Sequence, residues 1–217
     1  MAISDLIIIG AGGLGKEVLF QLRETNRGGE QYRILGFADD NPALIGSIVN
    51  GLPVIGSTEY VTKSPVELSV AVCVGNPAIR QSIVERIQIN PRISFPVILA
   101  PDLRCSDYVR FGRGSIINFS TIITVDVKIG EFVLVSNGCT IGHDSVLEDY
   151  ATLYSSVNVS GSVRVGRSAE VGAGTQIIQG RNIGERTVVG AGAVVVKDLP
   201  VNCTAVGVPA KPIKYRG

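Results

Sequence analysis

Tryptophan is absent from the 217 residues, methionine and histidine occur once each, and aromatic side chains make up only 6%. Helix bundles and ring-rich cores are therefore disfavoured. The four cysteines (Cys73, Cys105, Cys139, Cys203) stand apart with no CxxC spacing. With one histidine beside them, a Cys/His zinc site is excluded and no metal is expected. Charge of either sign is not in surplus, Lys and Arg numbering 20 against 19 Asp and Glu. Nucleic acid and anionic lipid are thus poor partners. No apolar run approaches the roughly 18 residues that span a bilayer. Leu6-Ile7-Ile8-Ile9 is short, lacks a basic flank and a cleavage site, and reads as a buried strand rather than a signal peptide. A reduced, cytoplasmic protein without membrane insertion is the expectation.

What the chain does have is glycine, 26 of them, with abundant Val and Ile, a mix that favours β-branched strands and tight turns. From Phe111 every sixth residue through Ile117, Ile123, Ile129, Val135, Ile141 and onward to Val195 and Val201 is large and apolar. Four residues after each comes a small or β-branched one, from Ser115 to Ala193, with Arg181 the exception. Glycine often follows the aliphatic position directly, as at Gly112, Gly130, Gly142, Gly166, Gly172, Gly184 and Gly190. This is the hexapeptide pattern of a triangular β-helix, with three hexads per coil and residues eighteen apart stacked. On this reading the glycines permit the geometry of the turn. Neither a period of two nor one of 3.6 explains a phase held for some ninety residues. Exposed coil edges and flat faces make a homotrimer the expected assembly.

Residues 1–100 read differently. The strand at Leu6–Ile9 leads into Gly10-Ala11-Gly12-Gly13-Leu14-Gly15 and a helical pattern from Lys16 to Glu24. The strand Ile34–Phe37 ends at Asp39-Asp40, and Leu68–Val74 ends at Gly75-Asn76-Pro77 before a helix through Ile79, Ile83, Val84 and Ile87. Alternating strand and helix predicts a small Rossmann-like parallel α/β domain. Domain boundaries of 1–100 and 101–217 follow. The glycine loop with an acidic residue further on is formally a dinucleotide fingerprint, so an NAD enzyme is one reading. A loop that cradles a diphosphate suits a sugar nucleotide as well, with Asp39 and Asp40 accepting hydrogen bonds from base or ribose. A glycine turn needed only for packing is the third.

Taken together, the glycine loop, Asp39-Asp40, Gly75-Asn76, Ile141-Gly142-His143-Asp144 and the ending Val206-Gly207-Val208-Pro209-Ala210-Lys211 resemble the bacterial sialic-acid and bacillosamine-type sugar acetyltransferases. The resemblance implies acetyl-CoA as co-substrate and a left-handed parallel β-helix behind a nucleotide-sugar-binding domain. It further implies a homotrimer with acetyl-CoA between subunits. Carried over by position, it sets a nucleotide-activated amino sugar at Gly12, Gly13, Leu14, Asp39, Asp40, Gly75 and Ala78. Acetyl-CoA contacts fall at Thr152, Ala173 and Ala191, through backbone groups at the alanines. Three positions depart from common family usage: Leu14 and Thr152 stand where relatives often carry His, and Ser136 where they often carry Asn.

His143 lies two residues past an inward aliphatic, at the turn end of a hexad, and the residue stacked one coil later is Gly161, which leaves space beside the ring. An amine or hydroxyl attacking a thioester must lose a proton, a task suited to a neutral imidazole. Asp144 is the candidate to orient it and raise its basicity. Cys139, the rival nucleophile, falls in the small inward series and reads as buried and inert. The expected reaction is N-acetylation of a nucleotide-linked amino sugar. O-acetylation of a sugar hydroxyl uses the same base, and a non-catalytic β-helix scaffold is the reading of another class.

Overall fold

Leu6, Ile7, Ile8 and Ile9 are each at most 1% exposed, as a parallel strand covered on both faces requires. They lie in β1 (Ser4–Ile9), the centre of the first unit, in a computed structural model that describes residues 3–216. After β1 come α1 (Gly13–Arg27), β2 (Tyr32–Ala38), β3 (Ile48–Val49), β4 (Leu52–Gly56) and α2 (Thr58–Thr62). β5 (Leu68–Val72), α3 (Pro77–Ile87) and β6 (Ile93–Ser94) follow. The sheet order is β3-β4-β2-β1-β5-β6, with β1 parallel to both β2 and β5 and only the β3–β4 hairpin antiparallel. The chain winds outward from β1 on one side and then returns to β5 on the other. The gap beyond the ends of β1 and β5 is thus the switch point where open α/β sheets bind ligands. α1 starts three residues before the expected Lys16, because Gly13-Leu14-Gly15 already take helical geometry. At α3 the Asn76 side chain accepts from the Ile79 N–H at 3.1 Å and Pro77 opens the first turn.

The chain divides between Pro101 and Asp102, and the second unit is a parallel β-helix. Two-residue strands recur every six residues and pair in register with strands eighteen residues on. One column runs Arg104–Cys105, Ile122–Ile123, Thr140–Ile141, Asn158–Val159, Gln176–Ile177, Val194–Val195. A second runs from Arg110–Phe111 to Asn182–Ile183, and the third includes Ile116–Ile117, Thr152–Leu153 and Cys203–Val206. The aliphatic series fills the interior, with Ile117, Ile123, Val135, Ile141, Leu147, Leu153, Val165 and Val171 all at zero exposure. The second series is buried with it, Ser115, Cys139, Ser145, Thr175 and Thr187 included.

Two sequence readings need correction. The aliphatic phase does not reach Val201, which is 55% exposed. The last coil is two residues short, so Leu199 bridges Ile183 and Ala205 pairs with Val189. The shortening falls where Arg181 breaks the small series, and its guanidinium reaches Asp198 at 3.5 Å. The second correction concerns the glycines after the aliphatic position, which have no positive φ. They are required because a Cβ on Gly112, Gly142, Gly166, Gly172 or Gly184 would lie 2.4–2.7 Å from backbone atoms of the next coil.

The left-handed geometry falls two residues later. Every sixth residue from Gly114 to Gly192 has φ between +52° and +72°, and nine of these fourteen carry a side chain. A left-handed L-residue costs roughly 1–2 kcal/mol. The conformation lets each corner N–H from Phe132 onward donate to the coil before, as Phe132 does to the Arg113 carbonyl, Asp144 to Val125 and Ser162 to His143. Gly166→Ala, which sets a methyl group against Glu185 N at 2.7 Å, should therefore lower the melting temperature well beyond Gly180→Ala. The latter adds a methyl at φ +72° into open space and should cost only about 1 kcal/mol. Thermal unfolding of the two variants checks this, and equal losses would contradict it.

Candidate active site

His143 sits on an exposed corner between Gly142 and the left-handed Asp144. Its backbone is held from both sides along the stack. Ser162 N donates to the His143 carbonyl at 2.7 Å, and Asp144 N donates to Val125 at 3.2 Å. Adjacent side chains usually diverge, but the left-handed backbone at Asp144 brings its carboxylate back, and Oδ2 lies 2.7 Å from His143 Nδ1. A carboxylate only accepts, so Nδ1 carries the hydrogen and Nε2 the lone pair. The two side chains are 50% and 61% exposed, so their partnership is open to a ligand. The space that Gly161 leaves by lacking a side chain is taken by the imidazole itself.

Cys139 is fully buried, and its Sγ donates to the Tyr154 carbonyl at 3.2 Å. Burial pushes its pKa up to about 11, so it is neither ionised nor reachable as a nucleophile. Thr152, expected beside acetyl-CoA, has no exposed surface, and its N–H donates to Ala169. The β-helix wall covers its side chain. Ala173 and Ala191 are exposed and stack eighteen residues apart, with Gly192 N donating to the Ala173 carbonyl at 2.8 Å. Small corner residues such as these leave the backbone within reach of a ligand. Their edge of the β-helix is not the edge of His143, which stacks with Val125 and Gly161.

In the first unit a cavity of about 430 Å³ opens at the ends of β1, β2 and β5. Asp39, Asp40 and Ala78 line it with Gly10, Thr58, Ser82 and Arg86, and Ile9, Val74, Ile79 and Ile83 supply apolar walls. Gly12, Gly13 and Leu14 lie outside that lining at the start of α1, and Gly75 follows β5. The glycine loop divides by role. A Cβ on Gly15 would lie 1.9 Å from the Gly10 carbonyl oxygen, and one on Gly10, at φ +97°, would lie 2.7 Å from that of Cys73. Those two glycines are needed for packing. A Cβ on Gly12 or Gly13 would meet nothing within 4 Å, which leaves the helix N-terminus approachable.

Asp39 also serves the scaffold. Oδ2 accepts from Ala11 N at 2.8 Å and Oδ1 from Asn41 N at 2.9 Å, which ties the end of β2 to the glycine loop. Asp40 accepts from Thr58 N at 2.8 Å and Thr58 Oγ1 at 2.7 Å, and Arg86 approaches at 3.2 Å. Burial pushes the Asp40 carboxyl up, but these hydrogen bonds and the Arg86 charge outweigh it and hold its pKa below the ordinary value. Arg86, Ser82 and Thr58 escaped the sequence reading. Ala78, Ser82 and Arg86 recur at four-residue steps along α3, a helical face that periodicity exposes. Arg80 was also missed. It is 2% exposed and grips the Val74 and Gly75 carbonyls at 2.7 and 2.9 Å, fixing the loop after β5. Among the described residues, no group of His, Cys, Asp and Glu is placed to hold a metal, and no helix is long and apolar enough to cross a membrane.

Residues 5–87 match the family described as the PglD N-terminal domain. The acetyltransferase domain of PglB from Neisseria gonorrhoeae FA1090, solved with acetyl coenzyme A, is 32% identical. It aligns over 98% of this chain and 100% of that one, with a TM-score of 0.88. PerB from Caulobacter crescentus, solved with CoA and GDP-perosamine, is 32% identical over 98% of this chain and 99% of its own, with a TM-score of 0.87. The chain also resembles a serine acetyltransferase of Synechococcus elongatus, 33% identical over 88 residues that cover 37% of this chain. The match spans about a third of that relative's length, 36%. The chain belongs to the bacterial sugar acetyltransferases that join a PglD N-terminal domain to a hexapeptide-repeat β-helix.

Because the folded pKa of Asp40 is depressed, its contribution to stability is present above the ordinary carboxylate value and is lost as pH falls through the lowered one. Asp40→Asn should lower the melting temperature at pH 7, by about 1 kcal/mol of stability. It should also flatten the acid limb of the melting-temperature profile. Thermal unfolding between neutral and acid pH tests this; acid limbs of equal slope would contradict it.

Proposed function

We propose that the protein transfers the acetyl group of acetyl-CoA to the amino group of a nucleotide-linked amino sugar, in surface-glycan biosynthesis in the cytoplasm. The observation that carries this reading is the His143–Asp144 pair, with Nδ1 held at 2.7 Å by the carboxylate and Nε2 left as the proton acceptor. Its support from outside the chain is the presence of acetyl-CoA with the PglB domain and of CoA with GDP-perosamine in PerB.

His143 Nε2 takes the proton that the amine loses as its nitrogen bonds to the thioester carbonyl carbon. Asp144 holds the Nδ1–H and stabilises the imidazolium that forms. The same imidazolium returns the proton to the sulfur as the C–S bond breaks. No covalent acyl-enzyme is needed, in keeping with the buried Cys139. The cavity at Asp39, Asp40 and Ala78 takes the nucleoside, and the open N–H groups at Gly12, Gly13 and Leu14 take the diphosphate beside Gly75. Ala173 and Ala191 offer backbone groups to acetyl-CoA. Since their edge differs from that of His143, the two edges face each other in neighbouring subunits of a homotrimer.

His143→Ala should lower turnover by at least about 100-fold and leave acetyl-CoA binding intact; near-normal turnover would remove the mechanism. The product should be an alkali-stable amide, whereas an alkali-labile ester would move the acceptor to a hydroxyl. Light scattering should give the mass of three chains, and an active monomer would contradict the intersubunit site.

A further inference from the structure

The corner residue two positions past each inward aliphatic occurs fourteen times between Arg113 and Ala191, and thirteen of these positions carry a side chain. The exception is Gly161. Its backbone gives no reason for glycine, because the left-handed φ of that corner belongs to Ser162, at +57°, and not to Gly161. Nor does the next coil crowd it, as happens at Gly142 or Gly166. What a Cβ on Gly161 would meet is one side chain, the His143 ring, at 2.4 Å from Nε2, 2.5 Å from Cε1 and 2.9 Å from Cδ2. The ring therefore lays one face, at its Nε2–Cε1 side, over the Gly161 α-carbon, in the volume a methyl group would fill.

We infer that Gly161 is a positioning residue for the imidazole, its bare α-carbon forming the seat that lets Nδ1 reach Asp144 while Nε2 faces the acceptor. The inference rests on the proposed role of His143 and adds to it a steric constraint from the following coil. Three fixed points define the ring. The His143 backbone is pinned by Ser162 N at 2.7 Å, the Nδ1 side by Asp144 at 2.7 Å, and one ring face by Gly161. Gly142 belongs to the same arrangement. A Cβ there would lie 2.6 Å from Gly161 N, so its absence lets the Gly161 backbone come close enough to serve as the seat. A side chain at 161 would not break the fold, since the clashing atoms are the far end of a rotatable side chain. It would push the ring off its seat and lengthen the Nδ1–Asp144 hydrogen bond.

The single histidine makes the test direct, because selectively labelled His gives one spin system in the intact protein. In the wild type, an NOE from His143 Hε1 to the Gly161 α-protons is expected, together with ¹⁵N shifts of a protonated Nδ1 and an unprotonated Nε2. Gly161→Ala should keep the melting temperature within a few degrees and the KM for acetyl-CoA within about two-fold. It should lower kcat by about 10- to 100-fold and mix the two ¹⁵N tautomer signals. Absence of the wild-type NOE would overturn the inference whether or not the variant folds, as would an unchanged tautomer pattern in a folded Gly161→Ala protein. If His143→Ala proves fully active, the proposed chemistry falls, while the NOE and tautomer readouts still decide whether Gly161 seats the ring.

Discussion

The hydrogen bond from each left-handed corner to the coil before it is the constraint on which the rest of the β-helix depends. It recurs every six residues, from Phe132 N to the Arg113 carbonyl through Ser162 N to His143 and Gly192 N to Ala173. Because these bonds lock consecutive coils at a fixed offset, a side chain's height and edge are set by its position in the eighteen-residue period. Aliphatic residues fall inside, glycines fall where coils meet too closely for a Cβ, and His143 falls on an open corner. The same bond sets the chemistry. Asp144 occupies a left-handed corner, and that backbone turns its carboxylate toward the preceding imidazole.

The first unit works by another rule. There the site arises from topology, at the point where the chain leaves β1 for β2 on one side and returns to β5 on the other. Carboxylates at the end of β2 serve the scaffold as well as any ligand. Asp39 fastens the glycine loop through Ala11 N, and Asp40 fastens α2 through Thr58. On the proposed function, a nucleotide in the cavity would meet groups already oriented by their own partners, so little ordering would be required on binding.

Much of this was legible in the sequence, since the hexad phase states the fold outright and its flawless run needs no tertiary information. The lone histidine at a corner with an acid beside it was legible for the same reason. What the period could not convey was backbone geometry. It does not show that Gly112 or Gly166 is required by the neighbouring coil while the left-handed turn lies two residues on. Nor does it show that the last coil loses two residues, leaving Val201 outside and Leu199 within. In the α/β unit, strand and helix signals were plain. The pairing of Asp40 with Thr58 and Arg86 joins segments 18 and 46 residues apart, a distance that local pattern does not bridge. That Thr152 is wholly covered is likewise a tertiary fact, which its place in the motif does not convey.

The proposed reaction requires that the phase of the β-helix deliver one imidazole, with its acid partner, to the reacting thioester. A crystal structure of the assembled protein with acetyl-CoA tests this most directly. The thioester carbonyl carbon or sulfur should lie within about 3–4 Å of His143 Nε2, with the Asp144 hydrogen bond to Nδ1 retained. A thioester bound away from that corner, or an imidazole turned so that Nε2 faces the protein, would contradict it.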